Sequence, residues 1–238
     1  MTVAAREIVV LSTTALQTTL EALAPAFERT TGYRLTFHFG PSGRMANRVG
    51  DGEANDLAIV TGAGIDDLVV KRRTMPGTRA DIARSKIGAA VQKGAPRPDI
   101  SSVDAFKRTL SAAKTIGMSN PVGGGQSGAH LAKVFETLGI AEAMKIKATY
   151  GPGGPEGLIG KYLLRKEVEF GLQQMPELMA VEGIDILGPI PAELQLDTVF
   201  SAGISTAAKN ADGAKQWIDY LRMPTAAAVI EAKGMQPG

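Results

Sequence analysis

The chain contains no cysteine, which excludes a disulfide framework and leaves the redox compartment open. It has only two histidines; without thiolates these leave little material for a zinc or copper site, and neither a metal nor a cofactor is expected. An excess of one charge is also missing. Lys and Arg number 26 and Asp and Glu 24, a formal net charge of +2, and the basic residues are scattered rather than striped, so no nucleic-acid partner is expected. No apolar run reaches the ~18 residues of a membrane span, and the opening MTVAAREIVVL holds no apolar stretch of signal-peptide length. Location then depends on the native start: periplasmic if a leader was removed, cytoplasmic if Met1 is that start.

What the chain does have is the same sentence written twice. The segment from Ala15 to Gly43, followed by GEANDLAIV, is echoed by SGAHLAKVFETLGI, MKIKATYGPGG and KEVEFGLQ. Phe27-Glu28 answers Phe135-Glu136, the turn Phe39-Gly40-Pro41-Ser42-Gly43 answers Tyr150-Gly151-Pro152-Gly153-Gly154, and Asp56 answers Glu169. Ile8 to Leu11 reads as a buried strand, and Leu16, Leu20, Leu23 and Phe27 mark one face of a helix that Gly32 stops. Strands at 35–39 and 57–60 flank a helix carrying Met45 and Val49, which makes the unit strand, helix, strand, helix, strand. The stretch 79–92 reads as a crossover into a second sheet and 196–205 as a return, after which Trp217, Ile218 and Leu221 mark a helix packed on the first half. The expected fold is α/β: two doubly wound domains, residues 1–82 plus 200–238 and residues 83–199, joined by two crossover strands with a hinged ligand cleft between them.

In an open α/β sheet ligands sit beyond the carboxyl ends of the strands, where helix N-termini favour anions. Three hydroxyl-rich turns fit that place: Ser12-Thr13-Thr14, Ser42-Gly43-Arg44, and Ser119 through Gln126, Ser127 and Gly128. Each of Thr13, Ser42 and Ser127 also reads as an ordinary N-cap. The glycines of SNPVGGGQSG permit close backbone approach or a hinge, but the run lacks the ending of a nucleotide-phosphate loop. Arg44 is placed to pair with a carboxylate, with Arg84 and Lys86 as further cations near the cleft. Gln173 and Gln174 follow a strand where paired amides suit a polar ligand, a helix cap or an interdomain bond. His38 reads as structural; His130, one turn past Ser127, is the tempting general base.

The strand, Ser-Thr turn and helix at 8–31, the segment 31–60 and the segment 169–205 resemble the molybdate-binding branch of type II solute-binding proteins, over nearly the whole chain. The resemblance implies a small anion held by hydroxyls and backbone N–H groups at Ser12, Ser42 and the 119–128 loop, and a membrane permease of an ABC-type uptake system as partner. The expected solute is an organic carboxylate or a tetrahedral oxyanion: Gln173-Gln174 stand where molybdate binders place a tyrosine, and Arg44 adds a full charge that fits a carboxylate better than a site of neutral donors. The branch also holds enzymes similar to aconitate isomerase. That alternative implies a cofactor-independent proton transfer within a small di- or tricarboxylate, with His130, Lys86 or Glu156 carrying the proton.

Overall fold

The computed structural model describes residues 6–238. The chain divides into two compact units, one comprising the residues up to Arg84 together with Val199–Gly238, the other Ser85–Thr198.

The first unit opens with β1 (Arg6–Thr13), α1 (Gln17–Thr31), β2 (Tyr33–Gly40), α2 (Ser42–Gly50), β3 (Leu57–Thr61), α3 (Gly62–Val70) and β4 (Ala80–Ser85). The second holds β5 (Ile87–Gln92), α4 (Val103–Ala112), β6 (Ile116–Ser119), α5 (Gln126–Thr137), α6 (Ala141–Lys147), β7 (Ala148–Gly151), α7 (Ile159–Leu164), β8 (Phe170–Gln174), α8 (Met175–Met179) and β9 (Ile184–Pro189). The chain then completes the first unit with β10 (Thr198–Ile204), α9 (Ala211–Leu221), α10 (Pro224–Ala232) and β11 (Gln236–Pro237). Among the described residues no helix is long and apolar enough to cross a membrane.

The repeat is visible in the hydrogen-bonded order. One sheet runs β11-β4-β10-β3-β1-β2 and the other β7-β6-β8-β5-β9. In the first, β1 is parallel to both β2 and β3, and antiparallel β10 lies beside β3. In the second, β6 is parallel to both β7 and β8, and antiparallel β5 lies beside β8. The paired acids also do matching work. Asp56, just before β3, accepts the Val9 N–H at 2.8 Å, and Glu169, just before β8, accepts the Lys114 N–H at 2.9 Å.

Successive strand residues point to opposite faces, and both faces of the first sheet are covered. Ile8, Val10, Leu57 and Ile59 pack with Leu16, Leu20, Leu23 and Phe27 of the α1 region and with Trp217, Ile218 and Leu221 of α9. Leu11, Ala58 and Val60 turn the other way, onto Met45 and Val49 of α2 and Ile65 and Leu68 of α3. In the second unit Ile116, Met118, Phe170 and Leu172 meet Phe106, Leu131 and Phe135. On its other face, β6 and β8 present glycines to α7. A Cβ at Gly117 would lie 2.8 Å from Ile159 Cγ2, and one at Gly171 2.9 Å from the same atom, so α7 lies closer to this sheet than any side chain there would allow.

Candidate functional site

Each unit gathers hydroxyls at the carboxyl ends of its parallel strands. In the first, Ser12 and Thr13 end β1 opposite Phe39 and Gly40 of β2, and a short 3-10 turn, Thr14–Leu16, leads into α1. Of the expected N-caps, Thr13 does hold that position before the 3-10 turn, though its side chain makes no cap bond, while the expectation for Ser42 and Ser127 is corrected. Pro41 caps α2, so Ser42 is already the first helical residue, and its Oγ accepts the Thr61 N–H at 2.8 Å, tying α2 to the end of β3. Its hydroxyl proton is left to donate elsewhere. Gly125 caps α5, which puts Ser127 in the second helical position. Thr14 completes the pattern: it is 5% exposed, and its Oγ1 has no partner among the described residues. Arg44, two positions into α2 from Ser42, is exposed, and Gly43 is half-buried.

In the second unit Ser119 ends β6 opposite Gly151 of β7. Asn120 organises the glycine-rich turn: its N–H donates to Gly151 O at 3.3 Å, its carbonyl accepts Gly123 N–H at 3.2 Å and its Oδ1 accepts Val122 N–H at 3.0 Å. Helix α5 then returns so tightly that a Cβ on Gly128 would sit 2.2 Å from the Ser119 carbonyl oxygen, a backbone atom that cannot swing away. Gly128→Ala is therefore expected to cost about 1–3 kcal/mol through overpacking and to break the 3.4 Å contact between Ser127 Oγ and Ser119 Oγ. Denaturant unfolding measures this; an unchanged midpoint would mean that α5 can shift freely. Gln126, at the start of α5, is exposed.

Both glutamines are buried and bonded within the second unit. Gln173 Oε1 accepts the Ile159 N–H at 2.8 Å while its Nε2 reaches Gly157 O at 3.2 Å and Ser119 Oγ at 3.4 Å, so the side chain braces the entrance to α7 and orients Ser119. Gln174 Nε2 donates to Thr198 Oγ1 at 3.0 Å, and its buried Oε1 has no partner among the described residues.

Hydroxyls and helix starts at equivalent strand ends of two like units are the ingredients of a small-anion receptor. The model of the bacterial extracellular solute-binding protein family matches residues 8–236. The chain belongs to this family. It is 34% identical to an aconitate isomerase of Pseudomonas sp over 234 residues, 96% of this chain and 87% of that protein. It is 24% identical to the molybdate-binding protein ModA of Azotobacter vinelandii over 224 residues, 90% of this chain and 84% of that one. The solved structure of the Azotobacter vinelandii periplasmic molybdate-binding protein matches with a TM-score of 0.79 at 19% identity, covering 97% of this chain and 99% of that chain. The fold is thus the two-domain α/β fold of periplasmic solute-binding proteins.

The structure changes the standing of the three expected proton carriers of this family member. His130 Nε2 lies 2.8 Å from the Leu194 carbonyl oxygen; since a carbonyl only accepts, that nitrogen carries a proton and serves as a tie between α5 and residue 194. Glu156 is exposed and bonded to Lys161 at 2.9 Å, and that hydrogen bond, with the lysine charge behind it, holds its carboxyl below the usual range, making it a weaker base. Lys86 is exposed at the step from β4 to β5, where its carbonyl accepts Met175 N–H at 2.9 Å. Arg84 sits 3.8 Å from Asp81. His38 is exposed on β2. One acid escaped the sequence reading: Glu177, the third residue of α8. The signal was there in Gln174-Met175-Pro176-Glu177, a strand end followed by proline early in a helix and an acid in its first turn.

Proposed function

We propose that this chain binds a small organic anion with two or three carboxylates, the candidate donors being Ser12, Thr13, Ser42 and Arg44 of the first unit and Ser119 and Ser127 of the second. The observation that carries the reading is that these hydroxyls stand at strand ends without serving as helix caps. A donor kept beside a helix start and not spent on the helix is available to an anion. Arg44 supports carboxylate over molybdate, because a guanidinium meets a carboxylate with two parallel bonds. In a periplasmic setting the bound solute would be handed to a membrane permease.

A thermal-shift series with molybdate, sulfate, and saturated and unsaturated di- and tricarboxylates tests this. Saturation at about 100 times Kd stabilises by about 2.7 kcal/mol, and the carboxylates are expected to produce that shift. A shift with molybdate alone, or with none of the anions, would sink the reading. Arg44→Ala is expected to weaken carboxylate binding by about 1.5–3 kcal/mol. Ser42→Ala is expected to weaken it by only about 0.5–1.5 kcal/mol while also lowering stability, because it strands the Thr61 N–H.

A second reading is favoured by the 34% identical relative that spans nearly the whole chain: the same site isomerises an unsaturated tricarboxylate by moving one proton. Incubation with cis- or trans-aconitate, followed by proton NMR, separates a receptor, which returns the added isomer, from an isomerase.

A further inference from the structure

The second unit holds a cavity at the amino-terminal end of β8, the end of that strand opposite Gln174 and the hydroxyl-bearing turns. Its volume is about 660 Å³, which is within the range of small-molecule sites. Val91 and Phe170, paired across β5 and β8 and both buried, form its base. Pro96 and Pro98 wall one side, and Ala112 and Ala113 at the end of α4 wall the other. The proline wall is pinned from two directions. Gly94 N–H donates to Asp185 at 2.9 Å and Arg97 donates to Ile186 O at 2.9 Å, which tie the loop to β9, while Thr109 Oγ1 donates to Asp99 O at 2.8 Å and ties it to α4. A ligand entering such a preformed cleft has little loop entropy to overcome.

Three charged side chains line the cavity: Arg108, Lys166 and Glu169. Neither cation makes an ion pair or a side-chain hydrogen bond among the described residues. Asp99, whose carboxylate feels the Arg108 charge at longer range, accepts the Ser101 N–H at 2.9 Å. Lys166 follows the last turn of α7 with a left-handed backbone, φ 60°. Glycine is favoured at that place because it has no Cβ to crowd, so the lysine sits there against its backbone preference and supplies a charge that glycine would not. Glu169 is partly committed, its Oε2 accepting the Lys114 N–H at 2.9 Å. Two cations against one carboxylate leave a single net positive charge in the cleft.

We propose that this cavity is a second ligand site, for a small monocarboxylate with an apolar body of about the size of an arylacetic acid. The Arg108 guanidinium meets a carboxylate with two parallel bonds, and Lys166 adds a second attraction. An apolar body laid against Val91, Phe170 and the prolines removes their surface from water. Glu169 opposes a second carboxylate or a doubly charged phosphate, because a like charge brought beside it is repelled. The site therefore selects against the polyanions proposed for the hydroxyl-bearing turns. It lies wholly on residues of the second unit, and it stands or falls independently of that reading.

Amide NMR of the full chain titrated with phenylacetate tests the proposal, with phenylacetamide, acetate and phenyl phosphate as comparison probes. Phenylacetate is expected to give saturable shifts at Val91, Ala112 and Phe170. The amide, which lacks the charge, acetate, which lacks the body, and phenyl phosphate, which carries the extra charge, are expected to bind more weakly. Arg108→Ala should weaken phenylacetate binding by about 10-fold or more. Lys166→Gly should weaken it as well, while the thermal midpoint of the free protein does not fall, since the strained Cβ is gone. Ala112→Leu, at an exposed position of α4, leaves every charge in place, fills the cleft and should abolish the shifts. Equal binding of phenylacetamide, or phenylacetate binding unchanged by Arg108→Ala or by Ala112→Leu, overturns the proposal. So does the absence of saturable shifts at these three residues, or shifts confined to Ser12, Ser42 and Ser119, which would place the carboxylate at the other site.

Discussion

Trp217→Ala is expected to cost the first unit about 3–5 kcal/mol, the range for truncating a fully buried large aromatic. Trp217 is 0% exposed. Its ring centroid lies 4.8 Å from that of Phe27 and 5.6 Å from that of Tyr220, so the change opens the centre of an aromatic cluster that binds α9 to α1. The indole Nε1 has no partner among the described residues. Trp217→Phe should accordingly cost much less, under about 1.5 kcal/mol, since it removes an unpaired buried donor along with part of the apolar ring. Denaturant titration of both variants gives the comparison, and the order Ala far below Phe is the expected result. Equal losses would mean that the indole nitrogen is satisfied by water.

Asp56→Ala is expected to be as damaging for a different reason. One carboxylate oxygen accepts Val9 N–H at 2.8 Å, and the other accepts Lys209 N–H at 2.7 Å and Asn210 N–H at 2.9 Å. Asp56 is 4% exposed, and each buried N–H left unpaired costs about 1–3 kcal/mol. The loss should total about 3–5 kcal/mol and should appear in hydrogen exchange as lost protection at Val9, Lys209 and Asn210 together. Loss confined to one of the three amides would show that the carboxylate does not act as a single clamp.

Asp56 also shows what could be read in advance. Its correspondence with Glu169 is a matter of pattern, and pattern carries the strand and helix periods, the repeat and the return of the chain, because burial on one face imposes a period on the sequence. Ser42 and Ser127 were read correctly as lying at helix starts but wrongly as caps. One or two positions decide between cap and helical residue: Pro41 rather than Ser42, and Gly125 rather than Ser127, is the residue that precedes the first turn. Gln173 was unreadable for another reason: the Ile159 N–H that occupies it is brought there only by the close packing of α7 on Gly117 and Gly171.

The placement of β10 has a consequence for how the chain is made. Ser201 Oγ donates to Asp81 at 2.7 Å and Ile204 N–H donates to Thr78 Oγ1 at 3.1 Å, so β4 and β10 are neighbours separated by an excursion of roughly 110 residues, and closing such a loop carries an entropy cost that a local turn does not. During synthesis β3 therefore waits with a bare edge until residue 204 has left the ribosome, whereas the strands β5 to β9 are complete by Pro189. The inserted unit is able to finish first, although it begins second, and the N-terminal strands are the part of the newborn chain that most needs a chaperone's protection.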